Sequence, residues 1–89
     1  MKEELQTYRC TATRQSVGYE SEDESGPVHQ WNGKDCVLEN GTVAYTSLLP
    51  GEDRGWLRLF AVPNGHGSTY LGFHKGANFD LEEIEDGET

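Results

Sequence analysis

Three Asn-Gly pairs divide the middle of the chain: Asn32 with Gly33, Asn40 with Gly41, and Asn64 with Gly65. Both residue types tolerate the positive φ angles that the two central positions of a type I′ hairpin turn require. Stretches rich in β-branched and aromatic residues flank the pairs, at residues 28–31, 37–38, 42–49, 56–62 and 68–74. The pattern therefore predicts antiparallel strands joined by tight turns.

Alternation within these stretches supports the same interpretation. Tyr8, Cys10 and Ala12 share one parity near the N-terminus and polar residues occupy the other, as in a strand with one wet face. In residues 56–62 both parities carry apolar side chains, which indicates a strand inside a sheet. No segment has convincing helical periodicity. We predict an all-β fold, a small antiparallel meander closing into a barrel or compact sandwich of about six strands.

The chain length of 89 residues allows one domain. We expect a single β-rich domain over residues 1–84, with an acidic loop at 16–27, and an acidic tail over residues 85–89. Residues 78–85 fit two structures. Phe79 and Leu81 alternate as in a strand, whereas Leu81 and Ile84 are spaced for one helical face, and a short closing strand is favoured.

The aromatic residues are expected to supply much of the small core, because each buries a large apolar area. Cys10 and Cys36 could form a disulfide worth about 3–4 kcal/mol. Small secreted domains usually carry more cysteines, so two reduced thiols are favoured. The N-terminus lacks the apolar run of a signal peptide, and no stretch approaches the roughly 20 apolar residues that span a bilayer. We expect a cytoplasmic protein without a membrane partner, in the host cytoplasm if it is phage-encoded.

Acidic residues are concentrated in two short tracts, although they total 16 against seven Lys and Arg. The first tract is Glu20, Glu22, Asp23 and Glu24, and the second is Asp80, Glu82, Glu83, Glu85, Asp86 and Glu88. The rest of the chain is close to neutral, so the net charge of −9 is local. A concentrated negative patch steers a basic partner toward one side of a protein.

Several function classes are disfavoured by the sequence. No catalytic motif or phosphate-binding glycine loop occurs, so we expect neither an enzyme nor a cofactor. His29, His66 and His74 lack the short spacings of metal ligands and are interpreted as solvated side chains rather than a metal site. Direct nucleic-acid binding is disfavoured because seven scattered basic residues form no patch and the net charge repels phosphate.

The remaining hypothesis is a non-catalytic acidic protein-binding domain, monomeric or homodimeric. Its partner would be a basic protein. In the most specific form of the hypothesis, the domain occupies the basic, nucleic-acid-binding surface of a host defence or transcription protein. Small acidic inhibitors encoded by phages and other mobile elements resemble this chain in size, charge and composition. The expected contact residues are the acidic tracts, the aromatic beside the first tract, and the acids of a second long loop: Tyr19, Glu20, Glu22, Asp23, Glu24, Glu52, Asp53, Asp80, Glu82 and Glu83.

Three alternatives remain open. The tracts could serve only solubility, since charge runs are often just solvated. Aromatic residues such as Trp31, Tyr45, Trp56 and Tyr70 could line a small-molecule pocket in a β-barrel. The chain could also be an accessory subunit of a larger assembly, with exposed aromatic residues forming a protein interface. Binding through the acidic tracts should weaken steeply with salt, whereas pocket or aromatic-interface binding should not.

Overall fold

The computed structural model describes residues 5–63, 65 and 67–84, and this part of the chain is all-β apart from two short 3₁₀ turns, Gly67–Thr69 and Gly76–Asn78. Its nine strands are β1 (Gln6–Ala12), β2 (Ser16–Val17), β3 (Gln30–Trp31), β4 (Lys34–Asp35), β5 (Val37–Leu38), β6 (Val43–Leu48), β7 (Trp56–Phe60), β8 (Tyr70–Lys75) and β9 (Phe79–Glu83). The predicted all-β class is confirmed, and β9 has the strand conformation favoured for the C-terminal segment.

Five of the strands form one antiparallel sheet in the order β8-β7-β6-β1-β9, while β2 with β5 and β3 with β4 form two small sheets. The strands β6, β7 and β8 follow one another as a meander, and β9 returns to pair with β1. Among the described residues β8 and β9 do not pair with each other, so closure into a barrel is not observed.

One side of the five-stranded sheet, which we call the inner face, carries the core. Leu57 and Leu59 of β7 and Cys10 of β1 are fully buried there. Cys36 and Leu38, around the short strand β5, complete the same cluster. Burying a leucine side chain contributes about 1.5–3 kcal/mol, so a core built largely from leucine and small residues can hold a domain of this size together.

Aromatic residues supply less of this core than the composition suggests. Tyr8 and Phe79 are buried, at 8% and 6% exposure. The other described aromatic side chains are half-buried: Tyr19, Trp31, Tyr45, Trp56, Phe60, Tyr70 and Phe73. In β7, whose two parities are both apolar, leucines take the inner face and the aromatic residues are left on the opposite face.

The three Asn-Gly pairs have different outcomes. Asn32 and Gly33 have φ angles of 56° and 80°, and the strands on either side pair as the predicted hairpin. Gly41 also lies in a turn with positive φ, but the flanking strands β5 and β6 belong to different sheets, so a hairpin there was a wrong prediction. Asn64 lies outside the described residues, and a connection containing a 3₁₀ turn joins β7 to β8.

Candidate functional site

The outer face of the five-stranded sheet, opposite the core, carries a row of aromatic side chains. Tyr45 of β6 is opposite Phe60 of β7, which is opposite Tyr70 of β8. The ring centroids of Phe60 and Tyr70 lie 5.2 Å apart. Such cross-strand pairs stabilise the sheet, and their exposed sides give a partner a broad apolar surface.

A bulge in β8 brings a further ring onto this face. Arg58 is opposite Phe73 and Phe60 is opposite Tyr70, so two steps along β7 match three along β8. Gly72, inside the bulge, has a φ of 89°, which glycine adopts without steric cost. Without the bulge, the odd spacing of Tyr70 and Phe73 would put their side chains on opposite faces.

Tyr19 continues the row beyond β8. Its backbone N–H donates to the carbonyl of Phe73, and the Phe73 N–H donates back to the carbonyl of Tyr19, each over 2.9 Å. The Tyr19 ring meets the Trp56 ring edge-on, with centroids 6.2 Å apart. We call the six side chains that share this surface the aromatic face: Tyr19, Tyr45, Trp56, Phe60, Tyr70 and Phe73.

The first acidic tract forms a structured loop next to the aromatic face. Glu24 forms an ion pair with Lys75 of β8, with Nζ and Oε1 2.6 Å apart. Asp23 accepts hydrogen bonds from the backbone N–H and hydroxyl of Ser25, which lower the pKa of its carboxyl group. Glu22 has no ion pair with a described residue, and it lines a small cavity together with Trp56.

His29 contacts Glu20, the first acidic residue of this loop. Its Nδ1 lies 3.1 Å from the Glu20 carboxylate, and its Nε2 lies 3.1 Å from the carbonyl oxygen of Tyr70. Its ring also packs against the Tyr70 ring, with centroids 5.0 Å apart. The loop is thereby tied to β8, beside the aromatic face.

The described part of the second acidic tract lies at the other end of the sheet. Asp80 and Glu82 of β9 are opposite Thr11 and Arg9 of β1, and Arg9 is in turn opposite Tyr45 of the aromatic face. An ion pair of 3.0 Å joins Arg9 to Glu82 and raises the pKa of the arginine. Asp80 has no ion pair with a described residue.

A cleft of about 360 Å³ opens along one end of the aromatic face. Tyr45 and Phe60 contribute to its lining, together with the exposed apolar side chain of Leu49. Two charged side chains of opposite sign, Glu52 and Arg58, also line it. A mainly apolar cleft with a few charged groups is suited to hold one side chain of a binding partner.

Two of the predicted contact residues in the loop before β7 also support their own backbone. The Glu52 carboxylate accepts a hydrogen bond from the Leu49 N–H over 2.8 Å. The Asp53 carboxylate accepts one from the Gly55 N–H over 2.9 Å. Both side chains are exposed, and Glu52 is the one of the two that lines the cleft.

A serine–histidine contact occurs in the core. Nε2 of His74 donates to the carbonyl of Leu71 over 3.0 Å, so Nδ1 accepts from the Ser16 hydroxyl over 2.8 Å. The Asn78 amide donates to the same hydroxyl over 3.1 Å. His74 has no exposed surface, and burial lowers its pKa to about 4. The interpretation of His74 as solvated was wrong, and the buried pair has no access for a substrate.

The two cysteines and the remaining potential metal ligands are the other candidate reactive groups in the sequence, and neither cysteine has the properties of a reactive thiol. Cys10 and Cys36 are free buried thiols, and desolvation raises their pKa values to about 12 and about 11. Thiolate is the reactive form, so both groups are inert in the folded protein. His66 lies outside the described residues. Within residues 5–63, 65 and 67–84, no cluster of three potential metal-ligating side chains occurs.

Only some of the predicted contact residues lie at or near the aromatic face. Tyr19 belongs to the aromatic face, and Glu22 and Glu52 adjoin it. Asp80 and Glu82 share its side of the sheet. Neighbouring groups hold six of the predicted carboxylates, those of Glu20, Asp23, Glu24, Glu52, Asp53 and Glu82. Glu83 is opposite Tyr8, whose side chain belongs to the core, so it has the inner-face parity. Apart from Tyr19, the residues of the aromatic face were not among the predicted contact residues, because parity does not tell which of two apolar faces is covered.

Comparison of the chain with protein-family models, with curated proteins and with solved structures gave no match. Within the described residues no helix has the length and apolar character needed to cross a bilayer.

Proposed function

We propose that this protein is a non-catalytic binding domain that engages a basic segment of another protein across the aromatic face. One observation carries the proposal. The first acidic tract is far from Asp80 and Glu82 in the sequence, yet the tract and these two carboxylates flank the same side of one sheet, with aromatic side chains between them. A purely solubilising charge run needs no such arrangement.

The chemistry of this surface suits lysine and arginine side chains. Their cationic groups interact favourably with the faces of tyrosine, phenylalanine and tryptophan rings, and their aliphatic stems pack on apolar surface. The protein already contains two such contacts: Arg58 lies over the Phe73 ring at 5.5 Å, and Arg54 lies over the Tyr8 ring at 4.7 Å. In a complex, Glu22 and Asp80 are carboxylates that could pair with incoming cations.

Aromatic residues would supply most of the binding energy, whereas the carboxylates would set the preference for a basic partner. Hot spots of protein interfaces are enriched in tryptophan, tyrosine and arginine, and rim charges mainly change the association rate. We accordingly expect moderate rather than complete loss of affinity in high salt. This differs from an interface made by the acidic tracts alone, which would be much more sensitive to salt.

The more specific proposal is that the basic partner is a nucleic-acid-binding protein. Its Lys and Arg side chains normally pair with phosphate, and the carboxylates around the aromatic face would replace phosphate as their acceptors. Occupation of such a surface would inhibit it, as small acidic phage-encoded inhibitors do. Direct binding of nucleic acid by this chain is opposed by its net charge of −9.

The test is selection from a random-peptide display library on the immobilised protein at low and at physiological salt. We expect enrichment of Lys and Arg combined with apolar residues. Selected peptides should lose at least about tenfold in affinity for a Tyr45→Thr, Phe60→Thr variant, as expected when hot-spot side chains are removed. Glu22→Gln should cost about two- to fivefold, mainly in the association rate.

Glu39→Gln is the matched control for charge, because Glu39 is an exposed carboxylate that contacts Gln15 outside the aromatic face. Its affinities should equal those of the wild type. Enrichment of acidic or purely apolar peptides would contradict the proposal. Selected peptides that bind the Tyr45→Thr, Phe60→Thr variant as tightly as the wild type would also contradict it, provided that the variant keeps the wild-type circular dichroism spectrum.

A further inference from the structure

The hydrogen-bond pattern between β1 and β9 determines which backbone groups point out of the sheet. Ile84 N–H donates to the Thr7 carbonyl over 3.0 Å, and Thr13 N–H donates to the Asn78 carbonyl over 2.8 Å. Both contacts belong to one antiparallel register, in which hydrogen-bonded and non-hydrogen-bonded pairs alternate. The hydrogen-bonded residues of β9 are therefore Asp80 and Glu82.

It follows that Leu81 and Glu83 direct their backbone N–H and C=O groups away from β1, toward the free side of β9. They are opposite Cys10 and Tyr8 in non-hydrogen-bonded pairs. No described residue forms a backbone hydrogen bond with these outward groups. A row of unpaired donors and acceptors on an end strand is a template for the addition of another strand.

The opposite end of the sheet is different. There the outward groups of Phe73 in β8 are used, because its N–H and C=O both bond to Tyr19. The loop containing Tyr19 thereby covers part of the β8 edge. Among the described residues, the protein protects one edge of its sheet with its own backbone and leaves the edge at β9 without a partner.

The side chains at the β9 edge select the strand that could pair there. Asp80, Glu82 and Glu83 are exposed. A second copy of this chain would bring like charges opposite one another, which destabilises strand pairing. A strand with Lys or Arg at every second position would instead place cations beside Asp80 and Glu82 on the outer side of the sheet.

We propose that the edge of β9 that faces away from β1 binds an extended, basic segment as an additional strand of the sheet. The inference rests on the proposed function, since it specifies the conformation of the basic partner, and it adds a second contact surface beyond the aromatic face. Backbone hydrogen bonds to Leu81 and Glu83 provide the affinity, and an ion pair with Asp80 provides the choice of a basic sequence, since Glu82 is already paired with Arg9. The occupant is a basic strand of another protein.

The probe is a short synthetic peptide of alternating lysine and valine, added to the ¹⁵N-labelled protein. We expect the amide signals of Leu81 and Glu83 to shift and their hydrogen exchange to slow. The same peptide with N-methyl groups on the backbone nitrogens of one edge should lose at least about tenfold in affinity, because it cannot donate to β9. A glutamate–valine peptide should not bind.

Two variants at one position separate the backbone from the charge. Glu83→Pro removes an outward N–H and blocks the edge, while the fold should persist because proline is tolerated on the free side of an edge strand. Glu83→Gln removes the same charge and keeps the edge. We expect Glu83→Pro to lose at least about tenfold in affinity and Glu83→Gln about twofold.

The outcomes distinguish this inference from the proposed function. Peptide-induced shifts confined to the aromatic face, unchanged in Glu83→Pro, would overturn strand addition and leave the proposed function intact. Equal affinity of the N-methylated peptide would overturn it without any change to the protein. Equal binding of the glutamate–valine peptide would refute the selection of a basic strand. Absence of binding at millimolar peptide would also overturn the inference, whereas the display selection decides the proposed function independently.

Discussion

The buried histidine makes the stability of this protein dependent on pH in a way that one substitution can isolate. His74 is fully buried, and its neutral ring is bonded through both nitrogens to Ser16 and to the Leu71 carbonyl. Desolvation lowers its pKa from 6.5 to about 4. Protonation in the folded state would add a second ring N–H and place a charge in the core, which the surroundings do not compensate.

The direction in which the free energy of unfolding changes with pH follows from proton linkage. Between pH 6.5 and about pH 4 the unfolded chain binds a proton at this residue and the folded protein does not, so acid favours unfolding. The contribution of His74 is fully present above pH 6.5 and is lost as the pH falls toward 4. From pH 7 to pH 4.5 the loss is about 2–3 kcal/mol, taking 1.36 kcal/mol per pKa unit.

The assay is urea unfolding at pH 7 and pH 4.5 for the wild type and His74→Gln. Glutamine does not titrate, and its amide can still donate to the Leu71 carbonyl. Carboxylate titration affects both proteins alike and cancels in the difference. The wild type should lose about 2–3 kcal/mol more than the variant between the two pH values. An equal loss in both proteins would refute the argument that His74 is kept neutral by burial.

Three further predictions concern the packing around the same core. A Cβ added to Gly18 would overlap a backbone carbonyl oxygen of β8, so Gly18→Ala should cost on the order of 3 kcal/mol in urea unfolding, whereas Gly26→Ala should stay within about 0.5 kcal/mol. Leu59→Ala should cost about 2–5 kcal/mol, because the side chain has no exposed surface, and a smaller loss would mean a looser core. Cys10 and Cys36 should react with a thiol reagent only in denaturant, because at pH 8 their thiolate fractions are about one in ten thousand and one in a thousand. Rapid labelling of the native protein would contradict their burial.

Local chemistry predicted much of the fold. The type I′ turn at Asn32 and Gly33 needs only the intrinsic tolerance of these residues for positive φ. The alternation of Tyr8, Cys10 and Ala12 predicted both a strand and its buried side. These features can be predicted from the sequence because they depend only on residues that are close to one another along the chain.

The remaining features depend on contacts between distant residues. Asn40 and Gly41 form a turn, but the partner of the strand before it is chosen by packing, so no hairpin results. His74 was interpreted as solvated because nothing adjacent to it in the sequence reveals its contact with Ser16. For the candidate site, the acidic residues were visible as a charge pattern, whereas the bulge that joins Tyr70 and Phe73 on one face was not.

Binding of basic protein segments to the aromatic face can be tested in one NMR experiment, without any change to the protein. Two peptides with the same apolar residues, one carrying arginines and the other glutamates at the remaining positions, are titrated into the labelled protein. We expect the arginine peptide to shift the signals of Tyr45, Phe60 and Tyr70, more strongly at low salt, and the glutamate peptide to leave them unchanged. Equal shifts with both peptides, or shifts confined to residues outside the aromatic face, would refute binding at this face.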